Sequence, residues 1–223
     1  MDTRRTLRSG WSVAMLSELQ RDEFEATRTP GRCLFDVLET SLGLDSGCLN
    51  ERVAQFLETS ADASEWCRRY GAFKTFPGAR GARRGARGAR HDVATPEMWA
   101  KHLRDRRDRW LDAVLDVKLV AGACDRPIYV LLRNPSLAGA GVVDVDAAEE
   151  NAPASACDAE LIKCSPALLV RRPSDGDLDA RLGEKATVAD VGASDIVITY
   201  GGTHFRGTRR LGEERVSKRR RCT

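Results

Sequence analysis

Residues 110–130 read WLDAVLDVKLVAGACDRPIYV, and the fold class turns on the change of pattern inside that stretch. From Trp110 to Ala121 the residues are apolar nearly all round, as in a helix enclosed by neighbours rather than one with a single apolar stripe. Gly122 is expected to end that helix, and Asp125, Arg126 and Pro127 make a turn. Ile128-Tyr129-Val130-Leu131-Leu132 then has the composition of a buried strand. A buried helix delivered straight into a strand points to a mixed α+β fold.

Working outward, the N-terminal side is helical. Val13 to Phe24 is expected to form an amphipathic helix, with Leu16, Leu19 and Phe24 near one face, broken by Pro30 and Gly31. Further helices are expected from Cys33 to Ser41 with Gly43 as the stop, from Cys48 to Glu58, and from Ala63 to just before Gly71. Thr95 and Pro96 form an N-cap and first-turn pair for a helix carrying Met98, Trp99 and Leu103.

The C-terminal side is strand-rich. Leu161 to Lys163 and Leu168 to Arg171 are candidate strands around Pro166, and Arg172 to Ala186 reads as a polar connection. Ile196-Val197-Ile198 within Asp195–Tyr200 is the clearest strand signal, and Gly201-Gly202 forces a turn after it. Beyond Gly207 the chain is charged and is expected to fray. The expected architecture is therefore a helical lobe packed on a small central β-sheet.

Two segments fit neither pattern. Residues 77–90 read PGARGARRGARGAR, with no periodic apolar face to bury, which predicts a solvated, disordered loop over 77–92. Ala138 to Ala159 is small and acidic and reads as a long surface loop, with room for a short strand at Gly141 to Val145. The expected organisation is an N-terminal extension over 1–26, one domain over 27–207 and a basic tail over 208–223.

Composition narrows the function classes. The 223 residues are 42% hydrophobic and 31% charged, and Lys plus Arg (36) exceed Asp plus Glu (33) by only three, so bulk charge does not nominate nucleic acid as the main partner. The basic residues are clustered, however, near Arg4, Arg5 and Arg8, between Arg80 and Arg90, and at Lys218 to Arg221. Those clusters leave weak RNA contact open, although the repeat lacks interleaved aromatics for base stacking. No apolar run approaches the ~20 residues that cross a bilayer, and the N-terminus lacks a secretory apolar stretch. An arginine-rich start can open a transit peptide, but Asp2, Glu18, Asp22 and Glu23 weigh against that. The seven cysteines include no CxxC pair and no zinc-ligand spacing, which fits reduced thiols in the cytoplasm, with the terminal basic run compatible with nuclear import.

Cys33 and His204 are the residues with chemical promise. A cysteine attacks a carbonyl as its thiolate, and a helix N-terminus with a nearby imidazole is the environment that favours that form. Cys33 is expected at such a terminus, where the backbone amides of Arg32 and Cys33 could also face a developing oxyanion. The plainer alternative is a small buried core thiol. Of the three histidines, His91 borders the Gly/Ala/Arg repeat and His102 lies in a charged helix, while His204 follows a strand and a glycine turn.

Taken in order, three stretches resemble the OTU (ovarian tumour) family of papain-like cysteine proteases. Gly31-Arg32-Cys33-Leu34-Phe35 is similar to its Gly-x-Cys-Leu-Phe motif, Trp110–Val130 to its Trp-led helix and RPI-x-V strand, and Ile196–Phe205 (IVITYGGTHF) to its closing strand, glycine turn and His-aromatic pair. The resemblance implies an OTU-like fold and a cysteine-type deubiquitinase with Cys33 as nucleophile and His204 as base. It also implies ubiquitin or a ubiquitin-like modifier as partner, and no metal or organic cofactor. Acidic residues between Asp144 and Glu160 would suit the arginine-containing tail of ubiquitin, and a merely solvated loop is the plainer reading.

Two departures from the pattern matter. Pro30 stands where many members carry an aspartate three residues before the cysteine, and Arg206 stands where an acid or amide orients the histidine. A guanidinium accepts no hydrogen bond from an imidazole. The third catalytic residue is therefore unknown, with Asp22, Glu23 and Glu25 as candidates. An OTU-like scaffold without catalysis, binding protein or RNA in a larger assembly, is the alternative.

Overall fold

The computed structural model describes residues 13–26, 32–70, 95–105, 115–132, 159–171, 178–179, 183–201 and 204–212. The Gly/Ala/Arg repeat, the possible strand at 141–145, the acidic segment to residue 158 and the C-terminal basic run lie outside them. Among the described residues no helix is long and apolar enough to cross a membrane.

In chain order the elements are α1 (Val13–Glu18), β1 (Arg21–Phe24), α2 (Cys33–Leu42), α3 (Cys48–Thr59), α4 (Ala63–Tyr70), α5 (Pro96–Arg104), α6 (Leu115–Cys124), β2 (Ile128–Leu132), β3 (Glu160–Cys164), β4 (Val170–Arg171), β5 (Leu178–Asp179), β6 (Glu184–Ala186), a 3₁₀ turn (Val188–Asp190), β7 (Ile196–Tyr200) and β8 (Phe205–Arg210). Six strands form one sheet in the order β1-β8-β7-β2-β3-β6, and β4 pairs with β5 separately. Among the described strands only β2 and β7 run parallel, with Ile128 opposite Ile196 and Leu132 opposite Tyr200. The fold class is α+β, as the sequence implied.

Strand alternation sorts the apolar residues onto two faces. Ile128, Val130, Ile162, Cys164, Ile196, Ile198 and Phe205 join α2 to α6 in one large core. Tyr129, Leu131, Leu161 and Val197 point the other way and meet Leu16 of α1 in a smaller cluster. β2 is consequently buried at every position, which is why it reads as an unbroken apolar run. Within the helical layer the rings of Trp66 and Trp99 lie 5.0 Å apart at 45°, and Phe56 packs so closely over α6 that a Cβ on Gly122 would fall 2.6 Å from its ring.

Helix limits follow local chemistry. Gly43 ends α2 in the left-handed region at φ 68°. The Thr95 side chain accepts from the Met98 amide to cap α5, with Pro96 in the first turn.

Several expectations are corrected. The predicted Val13–Phe24 helix is two elements: α1 stops at Glu18, Gln20 turns the chain at φ 51°, and Arg21–Phe24 pairs antiparallel with β8 from Arg210 to Gly207. Gly122 does not end α6, which continues to Cys124. Residues 172–186 are not merely a connection, because β6 joins the main sheet beside β3. Nor does the chain fray at Gly207, since β8 continues to Arg210 between β7 and β1. For the three strands, partners distant in sequence supply the order that local composition lacks. Thiols were expected reduced throughout; Cys33, Cys67, Cys124 and Cys164 are free, whereas Cys48 is disulfide-bonded.

Candidate active site

Cys33 is the first residue of α2, preceded by Arg32 as N-cap. The Arg32 side chain makes no capping hydrogen bond, so the helix start presents backbone amides rather than a capped end. Burial pushes the Cys33 thiol up, the Phe205 and Leu34 amides beside it pull back down, and the Asp36 carboxylate one turn along raises it further. The resting site thus holds a neutral thiol among donors arranged to receive a thiolate.

Cys33 differs from the other free thiols in that setting. Burial pushes Cys67 and Cys164 up to about 12, and both are sealed in the helical-face core. Burial also raises Cys124, against the pull of Arg52. Cys67 and Cys164 are core thiols by position, and Cys124 is partly buried against the same core.

His204 comes from the other end of the chain. It is exposed, directly before β8, and its carbonyl accepts from the Gly201 amide at 3.3 Å, closing the β7–β8 turn. β1 ends at Phe24, opposite Gly207, so it does not pair with the Phe205 amide, which serves the Cys33 thiol instead. Phe205 itself is buried with its ring 4.5 Å from that of Tyr200. Beneath this end of β8, Phe24 packs so tightly that a Cβ on Gly207 would lie 2.3 Å from its ring. The sheet therefore sets the residue that follows His204 against the start of α2. His91 lies outside the described residues, and His102 is half-buried in α5.

The candidate third residues lie on or just after β1. Glu23 is buried and accepts the Thr199 hydroxyl at 2.6 Å. Asp22 sits opposite Arg209 in the β1–β8 register. Arg206 Nε donates to Glu25 at 3.3 Å, and its Nη1 stands 3.9 Å from Glu23. The cation that departs from the family pattern is thus held by two carboxylates, Glu23 on the neighbouring strand and Glu25 just after it.

Sequence reading had named the backbone of Arg32 but overlooked its side chain. Its guanidinium lies 3.5 Å from Asp36 and 3.4 Å from Glu39, both almost wholly buried. Glu39 in turn accepts from the amides of Gly47 and Leu49 at 2.8 and 3.2 Å, at the start of α3. The spacing of Arg32, Asp36 and Glu39, at i, i+4 and i+7, was the available signal.

No family model matches the chain, and no curated protein does. Among solved structures the chain is similar to an OTU deubiquitinase from Wolbachia pipientis wMel bound to ubiquitin, with 14% identity, 86% of this chain and 96% of that chain covered, and a TM-score of 0.47.

Proposed function

We propose that this chain is a cysteine-type isopeptidase acting on ubiquitin or a ubiquitin-like modifier. The observation that carries the catalytic part is the meeting of the Phe205 amide, next to His204, with the Cys33 thiol at the N-terminus of α2. The modifier class follows from the three ordered stretches that resemble OTU proteases.

The chemistry runs in two halves. Cys33 passes its proton to His204 as the sulfur adds to the isopeptide carbonyl carbon, and the oxyanion is received by the amides of Arg32 and Cys33. The carbonyl re-forms, the C–N bond breaks, and the leaving lysine amine takes the proton from His204. Water then adds to the thioester with His204 as base, releasing the modifier's carboxylate and the thiol. Because burial favours the neutral thiol, the reading assigns thiolate formation to His204 on substrate arrival rather than to the resting enzyme.

Arg206 favours a second reading. A cation two residues after His204, tied to Glu25 and Glu23, gives the imidazole no acceptor there, as in a scaffold that has lost catalysis. Reaction with an electrophilic ubiquitin C-terminal probe separates the two. An adduct formed by the native chain, absent in Cys33→Ala and slowed at least ~100-fold in His204→Ala, is expected. A folded chain that forms no adduct with ubiquitin or ubiquitin-like probes would leave the scaffold reading standing.

A further inference from the structure

We infer that Arg32 is a positioning residue for the nucleophile, its guanidinium neutralising the buried Asp36 carboxylate beside Cys33 and tying the first peptide of α2 to the start of α3. The inference rests on the reading of Cys33 as nucleophile, and concerns the state of its thiol rather than the identity of the substrate.

The geometry is specific. Arg32 is the N-cap residue, yet its side chain runs along α2 to reach Asp36 at 3.5 Å and Glu39 at 3.4 Å. Asp36 lies three residues beyond Cys33, on the same side of the helix, and its side chain is 1% exposed. A carboxylate so enclosed is costly unless a cation meets it. Left uncompensated, its field would fall on the neighbouring thiol and oppose thiolate formation, and Asp36 already acts on Cys33 in that direction. Glu39 uses one oxygen on the Gly47 and Leu49 amides, so the same guanidinium is braced against α3.

Among the described residues, charged groups on neighbouring elements have partners of their own. His204 precedes β8, and Arg206, on β8, turns to the opposite side of the sheet, where Glu25 and Glu23 engage it. On α3, Glu51 is engaged by Arg104, as is Glu58. Arg32 is a cation in direct contact with the Asp36 carboxylate.

The test is the pH profile of Cys33 alkylation by iodoacetamide in the full chain, followed by peptide mass spectrometry, with folding checked by circular dichroism. Arg32→Gln is expected to move the midpoint to higher pH and slow alkylation near neutral pH by about three- to tenfold, since one unit of pKa is tenfold in thiolate. Asp36→Asn should shift the midpoint the opposite way, and the double variant should return to within about twofold of the native rate. Arg32→Lys, which keeps the charge without the fork, should restore most of the midpoint, an effect that a purely structural role for Arg32 would not produce. An unmoved midpoint in folded Arg32→Gln overturns the inference. Should that variant not fold, an unmoved midpoint in Asp36→Asn overturns it equally. Alkylation needs neither ubiquitin nor turnover, so a failed ubiquitin probe sinks the peptidase reading while these midpoints judge Arg32 separately.

Discussion

The two faces of the sheet are built on different principles. The face under α2 to α6 is apolar from Ile162 to Phe205 and closes over two tryptophans. The opposite face has a small apolar cluster around Leu16 and Tyr129, and toward β7, β8 and β1 it becomes a buried polar network. There Glu23 accepts from Thr199 at 2.6 Å, the Thr208 hydroxyl donates to the Val197 carbonyl at 2.8 Å, and Arg21 donates to the Asp195 carbonyl at 2.8 Å. One face holds the fold by volume filled, the other by groups satisfied. Cys33 and Phe205 meet on the apolar side, while Arg206, the neighbour of Phe205 along β8, turns to the polar side.

That contrast is open to measurement. Trp99→Ala should cost about 3–5 kcal/mol by chemical denaturation, because a fully buried indole leaves a large void between α4 and α5. Leu16→Ala, in the smaller cluster, should cost roughly 2–3 kcal/mol, near the low end for a buried leucine. Equal losses would mean that α1 carries as much of the core as the helical layer, and the contrast would fail.

The alkaline limb probes the apolar face in another way. Burial raises Cys164 to about 12, with Lys118 pulling the other way. A thiol whose folded pKa is raised contributes stability that is intact below the unfolded value near 9 and is lost as pH climbs toward 12. By pH 10.5 that loss is about 2 kcal/mol. Lys118, which burial lowers, works in the opposite sense, since its unfolded form binds the proton more readily and stability gains as pH rises. The informative quantity is therefore the difference between Cys164→Ala and the native chain, and Cys164→Ala should fall less steeply from pH 9 to 11. Parallel slopes would remove Cys164 from the account.

On the polar face the expected effect is smaller. Thr199→Val keeps shape but withdraws the hydroxyl that donates to the buried Glu23, and should cost about 1–2 kcal/mol. Thr199→Ser should recover most of it. A neutral Thr199→Val would show that Glu23 is sustained without this donor.

How much of this was legible in the sequence follows the same division. The helical layer was readable because its periodicity is local: Cys33–Leu42, Cys48–Thr59 and Ala63–Tyr70 were expected within a residue or so of where they occur. β1 was not, because Arg21-Asp22-Glu23-Phe24 has the composition of a helix end and becomes a strand only through β8. β8 failed for the matching reason, since Arg206 and Thr208 look solvated until Glu23, Glu25 and Arg21 are set beside them. At the site, Cys33 and His204 stand out in the sequence as motif residues. The Phe205 amide was invisible, because a backbone donor has no side-chain letter, and the Arg32 clamp was hidden by reading the residue only for its amide.

The smallest expected effect concerns how each face is entered. Gln20 turns α1 into β1 at φ 51°, and Asp125 turns α6 into β2 at φ 49°. Both sit in the left-handed region, where a side chain is strained and glycine is not. Aspartate tolerates that region better than glutamine, because its short carboxylate bonds locally to the backbone. Gln20→Gly should therefore stabilise by no more than ~1 kcal/mol, relief of strain being partly offset by the greater freedom of glycine when unfolded. Asp125→Gly should be close to neutral. The Gln20 carbonyl is fixed by the Leu211 amide at 2.9 Å, so the turn keeps its place whichever residue fills it. A clear loss in Gln20→Gly, measured as a lower denaturation midpoint at unchanged slope, would mean that the Gln20 side chain holds α1 to the sheet. The smaller face would then depend on a polar contact at its entrance as well as along β8.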